Sequence, residues 1–355
     1  MKAELELDAA RLRGDPVADD VIQQLGLEVW AMNALLRDCR RNEQALPSQL
    51  PLVAKRFFEE RVQLPVWFDR ARVLSAQRWA SEHLLHITAV LFHASLPCAY
   101  AAEQGASVLL ATGRMTTDID RRVNETARFV LDVLAIGAFE PQGLAIRATL
   151  QVRLVHSAVR EWLRSRARAS TDVPLNQEDL LGTLMTFSVV VIRGVRRLGV
   201  AVSPADADDF FHLWRVVGAL MGIEEALLPA DFGAAEAITD RISKRHFRAS
   251  AAGRVLMDAL FARINEHVFF PGMTSYLIRR LAGDLVADLL GVPADSKFRD
   301  ACSQLARLPF VARLPVQLLP QITPLVGQPL LDSIVSRKLG GELPGFAVPS
   351  FGIGH

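Results

Sequence analysis

Cysteine is scarce in this chain: Cys39, Cys98 and Cys302 are the only three in 355 residues. No two of them form a Cys-x-x-Cys pair, which removes the usual signature of structural zinc, iron-sulfur ligation and covalent c-type haem attachment, and leaves no disulfide framework. An excess of charge of one sign is also lacking, since 40 Lys and Arg against 39 Asp and Glu leave a net charge of +1. A general nucleic-acid binder or a polybasic membrane protein needs an electrostatic footprint that this balance does not supply, so no nucleic-acid partner is expected. Long apolar runs are missing as well. The longest, Leu184 to Ile192, is interrupted by Thr186 and Ser188 and closed by Arg193, well short of the ~20 residues that span a bilayer. No transmembrane segment is expected. The first sixteen residues carry Glu4, Glu6, Asp8, Arg11, Arg13 and Asp15 with no apolar stretch, and the expectation is a soluble, cytoplasmic protein without a secretory leader.

What is present is apolar content, at 50% of residues, arranged almost everywhere at three- and four-residue steps, with few alternating strand-like stretches. An all-α fold follows. The spacing predicts helices over Val21 to Arg41, Lys55 to Glu60, Ser75 to Ala94 (closed by Pro97), Thr117 to Ala135 and Leu144 to Ala169. Further helices are expected from Asn176 to Leu198, Ala205 to Met221 behind a Ser203 cap, Ala234 to Phe247, Ala251 to Asn265 and Thr274 to Leu290. Three divisions result: an N-terminal helical extension over 1–54, the main domain over 55–293, and an arm over 294–355 that holds seven prolines. The arm is too apolar for a solvated tail and too rich in proline for long helices, so it is expected to wrap the body or to join two copies as a homodimer.

An all-α protein without paired cysteines that does redox or metal chemistry usually relies on imidazole. The chain has eight histidines. There is no His-Glu-x-x-His, and no Glu-x-x-His pair to build a carboxylate-bridged di-iron bundle. His156 stands out because Val152, His156, Val159 and Leu163 fall on one helical face, placing an imidazole in an apolar stripe. Two readings are open for it: a hydrogen-bonded core residue, or the single protein ligand of a haem. Arg153 and Arg160 flank the stripe seven residues apart, a spacing that suits two haem propionates. His86 and His93, also seven apart with Trp79 on the same face, are the rival ligand pair or core packing. On the preceding helix, Arg122, Glu125, Thr126 and Phe129 form a mixed stripe beside an apolar seam. It is either the polar wall of a cavity or a surface face on which Arg121 and Arg122 pair with Glu125.

The stretches Arg121–Phe129 (RRVNETARF), Val152–Arg160 (VRLVHSAVR), Asn176–Thr183 (NQEDLLGT), His212–Gly218 (HLWRVVG) and Leu281–Pro293 (LAGDLVADLLGVP) resemble, in that order, the rubber-oxygenase superfamily. It includes the latex clearing proteins and the MpaB-type oxygenases. The resemblance implies a globin-like helical bundle around a non-covalent b-type haem, with His156 as the axial iron ligand. It places Arg122 and Thr126 on the distal side, and Glu125 where some latex clearing proteins carry a lysine able to ligate iron. The further pocket glutamate of rubber-cleaving members has Glu103 as its nearest candidate here.

The implied function is a haem b-dependent oxygenase that uses O2 to cleave a carbon-carbon double bond in a small lipophilic substrate. In it, Arg122, Glu125 and Thr126 would be catalytic, and His156, Arg153, Arg160 and Phe129 would hold the cofactor. A smaller isoprenoid or lipid is expected in place of rubber, because no export signal is read in the sequence. Two other functions stay open: a non-catalytic haem protein that senses or stores a diatomic gas, and a helical interaction protein whose ancestral pocket is empty.

Overall fold

The computed structural model describes residues 2–26, 32, 35–36, 38–112, 119–166, 172–265 and 272–294, with 2–5 and 119–122 described by backbone alone. The expected C-terminal arm lies outside the described residues. Within them the chain is helical and forms no strand. The first half comprises α1 (Lys2–Arg11), α2 (Pro16–Leu25), α3 (Leu52–Arg61), α4 (Arg70–Glu82), α5 (Leu84–Val90), a π-helical turn (Leu91–Ser95), α6 (Leu96–Ala101), α7 (Glu103–Ala111), α8 (Ile119–Leu134) and α9 (Ala145–Arg164). The second comprises α10 (Gln177–Phe187), α11 (Val189–Arg197), α12 (Pro204–Leu220), a 3-10 turn (Glu225–Leu227), α13 (Phe232–His246), α14 (Ala251–Asn265), α15 (Met273–Ala282) and α16 (Asp284–Leu289).

Local chemistry sets several of these boundaries. Asn176 accepts from the Asp179 N–H at 3.0 Å and starts α10, while Ser203 and Asp206 form a reciprocal capping box ahead of α12. Asp69 caps α4 through the N–H groups of Ala71 and Arg72 at 2.9 and 3.2 Å, so that helix begins before the Ser75 expected from periodicity. Among the described residues two apolar cores result. The larger unites α2, α4, α8, α9 and α10 to α12, and the smaller unites α6, α7 and α14 to α16. α8 bridges them, with Val123 in the smaller core and Phe129 and Val130 in the larger.

Three helices expected as single rods are divided, and one boundary disappears. Ser188, at φ −113° and ψ −77°, separates α10 from α11, and the Thr186 carbonyl beside the break accepts from Ser95 Oγ at 2.7 Å. Gly283, at φ 98°, divides α15 from α16 in a conformation that favours glycine. His83 divides α4 from α5. Pro97, by contrast, does not end its helix. It lies in the first turn of α6, directly after the π turn, and the helical winding continues through it despite the missing N–H. Leu84–Ala101 therefore forms an 18-residue helical stretch that by length and composition alone would cross a membrane. It is 61% buried inside the body, packed by α11, α14 and α15, which is the usual state of a core helix.

The described helices of the expected extension over 1–54 pack against the body. α2 lies along α9 and α1 packs against α10, and Leu7, Ala18, Ile22 and Leu25 belong to the larger core.

His212 illustrates how a buried imidazole is accommodated. Its Nε2 accepts the Asp69 backbone N–H at 3.1 Å, and its ring meets the edge of Trp67 at 5.8 Å. Burial and then the Arg72 charge push its pKa down to about 4, with Arg215 acting in the same direction and Asp69 and Asp209 opposing. The unfolded chain, with a histidine near pKa ~6.5, takes up a proton that the folded state refuses, so this contribution to stability is present at pH 7 and lost as pH falls toward about 4. His212→Gln, whose side-chain oxygen can accept the same N–H, should lose about 3 kcal/mol less stability between pH 7 and 4 than the parent. Chemical denaturation across that range checks it, and identical pH slopes in the two proteins would contradict it.

Candidate active site

α9 carries the central candidate. It starts at Ala145 and runs for 20 residues, burying Leu150, Leu154, Val155, Ala158 and Val159. His156 lies near its middle, half-buried between the buried Val155 and Ser157. α8 packs directly against α9. On α8, Glu125 is only 2% exposed, which removes the reading of this position as a surface salt-pair face. Thr126 beside it is half-buried, and Phe129, one turn on, sits 6.4 Å from Trp214 of α12. The Arg122 side chain lies outside the described residues, although its backbone belongs to α8.

The structure gives Arg153 and Arg160 partners other than propionates. Arg153 donates to both carboxylate oxygens of Asp15 at 2.5 and 2.8 Å, and to the Leu220 carbonyl at 3.3 Å. Arg160 is 1% exposed and pairs with Asp19, donating also to the Leu175 carbonyl at 3.0 Å. Asp19 further receives Ser157 Oγ at 2.7 Å and Arg164 at 3.1 Å. Burial works against the Arg160 charge and lowers its pKa, with Asp19 as the main opposing influence. A guanidinium so enclosed is committed: moving it to a ligand would leave a carboxylate buried and unpaired.

Sequence reasoning missed these carboxylates. The available signal was Asp15-Pro16, a cap followed by a first-turn proline, and Asp19 four residues on, which places both acids on one side of α2. The same N-terminal segment meets a second resembling stretch. Arg11 bonds Asp172 at 2.8 Å and Glu178 at 3.2 Å, and Glu178 also receives Arg245 at 2.8 Å and His246 at 2.9 Å. Burial alone would raise the Glu178 pKa, but His246 and Arg245 outweigh it and hold the carboxyl below its ordinary value. Gln177 donates to the carbonyls of Gly14 and Gly222 at 2.7 and 3.0 Å. Residues 11–19 thus form a strap fastened to both α9 and α10.

The rival histidines stay in the core. His93 is buried in the π turn, its Nδ1–H donating to the Ala89 carbonyl at 2.8 Å, and burial pushes its pKa down to about 4. His86 is half-buried, with a pKa lowered by burial and then by His83, whose ring lies 6.0 Å away. Glu103 is exposed at the start of α7 and lines no interior wall. Among the described residues no three His, Cys, Asp or Glu side chains converge as a metal cage. The donor chemistry of α8 and α9, a single imidazole amid apolar helix faces, fits a haem held by one axial ligand better than a bare ion.

Because Arg153 is the main charge partner of Asp15 while Asp19 has Arg160, Arg164 and Ser157, the two arginines should differ in effect. Arg153→Met should lower stability by about 3–5 kcal/mol, and Arg160→Met by less, since Asp19 keeps two donors. Urea unfolding of both variants measures the order, and the reverse order would contradict this division of partners.

Comparison with known proteins places this arrangement. The chain is 28% identical over 288 residues to the rubber oxygenase of Streptomyces sp. (strain K30), covering 78% of this chain and 69% of that protein. It superposes on the structure of latex clearing protein LCP in the closed state with a TM-score of 0.76 and 24% identity, covering 89% of this chain and 88% of the other; that likeness is one of fold. The family model of the catalytic domain of the ER-bound oxygenase mpaB/B′ and rubber oxygenase matches residues 77–314. With two-thirds of its length matched, from within α4 to beyond α16, the chain belongs to this family of oxygenase catalytic domains.

Proposed function

We propose that this protein is a haem b-dependent oxygenase that cleaves a carbon-carbon double bond in a lipophilic small molecule. The observation that carries the reading is the placement of His156, half-buried at the middle of α9, beside a helix that buries a carboxyl group, Glu125, inside the body. Burying a carboxyl is unfavourable unless it is satisfied, and such groups concentrate at sites that handle protons. Membership of an oxygenase family supports the same reading. The overall reaction balances as one alkene plus one O2 giving two carbonyl groups.

His156 would hold the iron of the haem through an imidazole nitrogen. Bound there, haem b would supply the metal centre at which dioxygen is activated. Thr126 offers a hydroxyl that donates a hydrogen bond to a polar ligand. Glu125 carries a carboxylate that takes up or returns a proton at its Oε atoms, and Arg122, one turn earlier on α8, contributes a cation that favours negative charge on the oxidant side. Phe129, with Trp214 behind it, keeps water away from the apolar reactant. The propionates need other partners than Arg153 and Arg160, whose bonds to Asp15 and Asp19 are already made.

An absorption spectrum of the purified protein, before and after dithionite and CO, tests the cofactor, and O2 uptake on adding an unsaturated isoprenoid tests the reaction. His156→Ala should lose most bound haem while remaining folded. Arg122→Ala and Thr126→Ala should keep haem and lower alkene-dependent O2 uptake by about 10- to 1000-fold. Full haem retention in His156→Ala would sink the ligand assignment. A haem-loaded parent that consumes no O2 with alkenes would sink the enzymatic one.

Glu125 is a carboxylate where a lysine would bring a nitrogen ligand. The resting ferric protein is therefore expected to show a high-spin or water-ligated spectrum and to bind cyanide or imidazole readily, with Glu125→Gln keeping that spectrum while slowing turnover. A low-spin resting spectrum that survives Glu125→Gln would point to a second nitrogen ligand.

A further inference from the structure

The strap of residues 11–19 touches α9 at points that bracket His156 closely. Arg153, three residues before it, is held by Asp15; Ser157, the next residue, and Arg160, four residues after it, are held by Asp19. These are the contacts that fix a helix's rotation about its own axis. Leu150, Leu154, Val155 and Val159 place α9 in the larger core, but apolar burial is non-directional and by itself sets the helix's rotation less sharply. The ion pairs set it more sharply, since each has directional geometry and a buried carboxylate left behind is heavily penalised.

The backbone is cut to fit them. A Cβ at Gly14 would lie 3.0 Å from Arg160 Cδ and Nε, and one at Gly222 would lie 2.6 Å from both Arg153 Nε and Asp15 Oδ2. Both glycines lie against the pairs, and Gly222 also sits at φ 86°, so the close approach is built into two separate loops. Gln177 then joins the same two glycines through their carbonyls. The strap is thus fitted to α9, although it comes from a distant segment of the chain.

We propose that Asp15 and Asp19 are positioning residues for His156. By fastening α9 on either side of it, the strap sets the direction in which the imidazole leaves the helix and so the geometry offered to an axial ligand site. This rests on the assignment of His156 as haem ligand, and concerns residues that lie before the part of the chain matched by the catalytic-domain family.

The test uses the full chain with histidines labelled for NMR, in haem-free and haem-loaded forms. Asp19→Asn keeps the shape and removes the charge, and Ser157→Ala removes only the hydroxyl bond to Asp19. In both, the His156 imidazole resonance of haem-free protein should shift while that of His212 stays in place. Haem affinity should fall about 10- to 100-fold, as for other groups that orient a metal ligand, and Asp19→Glu should recover part of it. General destabilisation would not move one histidine selectively. An unshifted His156 resonance with unchanged haem affinity in folded Asp19→Asn overturns the proposal, and if that variant does not fold, the same result in Ser157→Ala overturns it. A parent that binds no haem would end the haem assignment, while the His156 resonance would still decide whether the strap orients the imidazole.

Discussion

Two carboxylates buried against two arginines govern how this molecule is assembled. Asp15 and Asp19 stand on and before α2, Arg153 and Arg160 stand on α9, and each pair is nearly closed to solvent. Pairs of this kind add little net stability, because desolvation offsets most of the attraction. Their effect is on choice. A slipped or rotated α9 would keep much of its apolar contact, worth ~1.5–3 kcal/mol per large side chain, yet would leave buried charges unmatched at a penalty of about 3–5 kcal/mol each. The ionic term therefore selects one arrangement among several that the hydrophobic term allows.

The rest of the interior follows the same division. Apolar residues bring α4, α8, α9 and α12 together, and polar groups then decide orientation where packing is indifferent. Asp15 both accepts from the Ala18 N–H at the start of α2 and holds Arg153. Glu178 caps no helix, yet gathers Arg11, Arg245 and His246 around a fully buried carboxylate, so that the strap, α10 and α13 meet at one point. His93 and His212 remain neutral at pH 7 because the interior disfavours their charged forms. Glu125, by contrast, is a buried carboxyl on α8, which packs against the helix that carries His156, and its proposed use is to handle protons.

Much of this was legible beforehand. Ser203 and Asn176 are caps whose side chains reach backbone groups two or three residues away, and interactions that local are written in the sequence. The order of five short stretches identified the family, and the apolar stripe around His156 identified the helix that carries it. The break at Ser188 was not legible, since the Thr186 carbonyl beside it finds its partner in Ser95 on a distant helix; nor were the break at His83 and the passage of the helix through Pro97.

Arg153 and Arg160 show where reading the chain in one dimension ends. Periodicity placed them correctly on either side of His156, and their charge made anionic partners certain. Which anions they meet depends on residues more than 130 positions away in sequence, and separations of that size leave no local trace. The sequence by itself determined the all-α class, where most of the long helices lie and the face of α9 that carries the imidazole, because helix periodicity and capping act over a few residues. Only the tertiary structure decided that the arginines belong to the strap and that Glu125 lies inside, because burial and charge pairing are settled by which distant segments pack together.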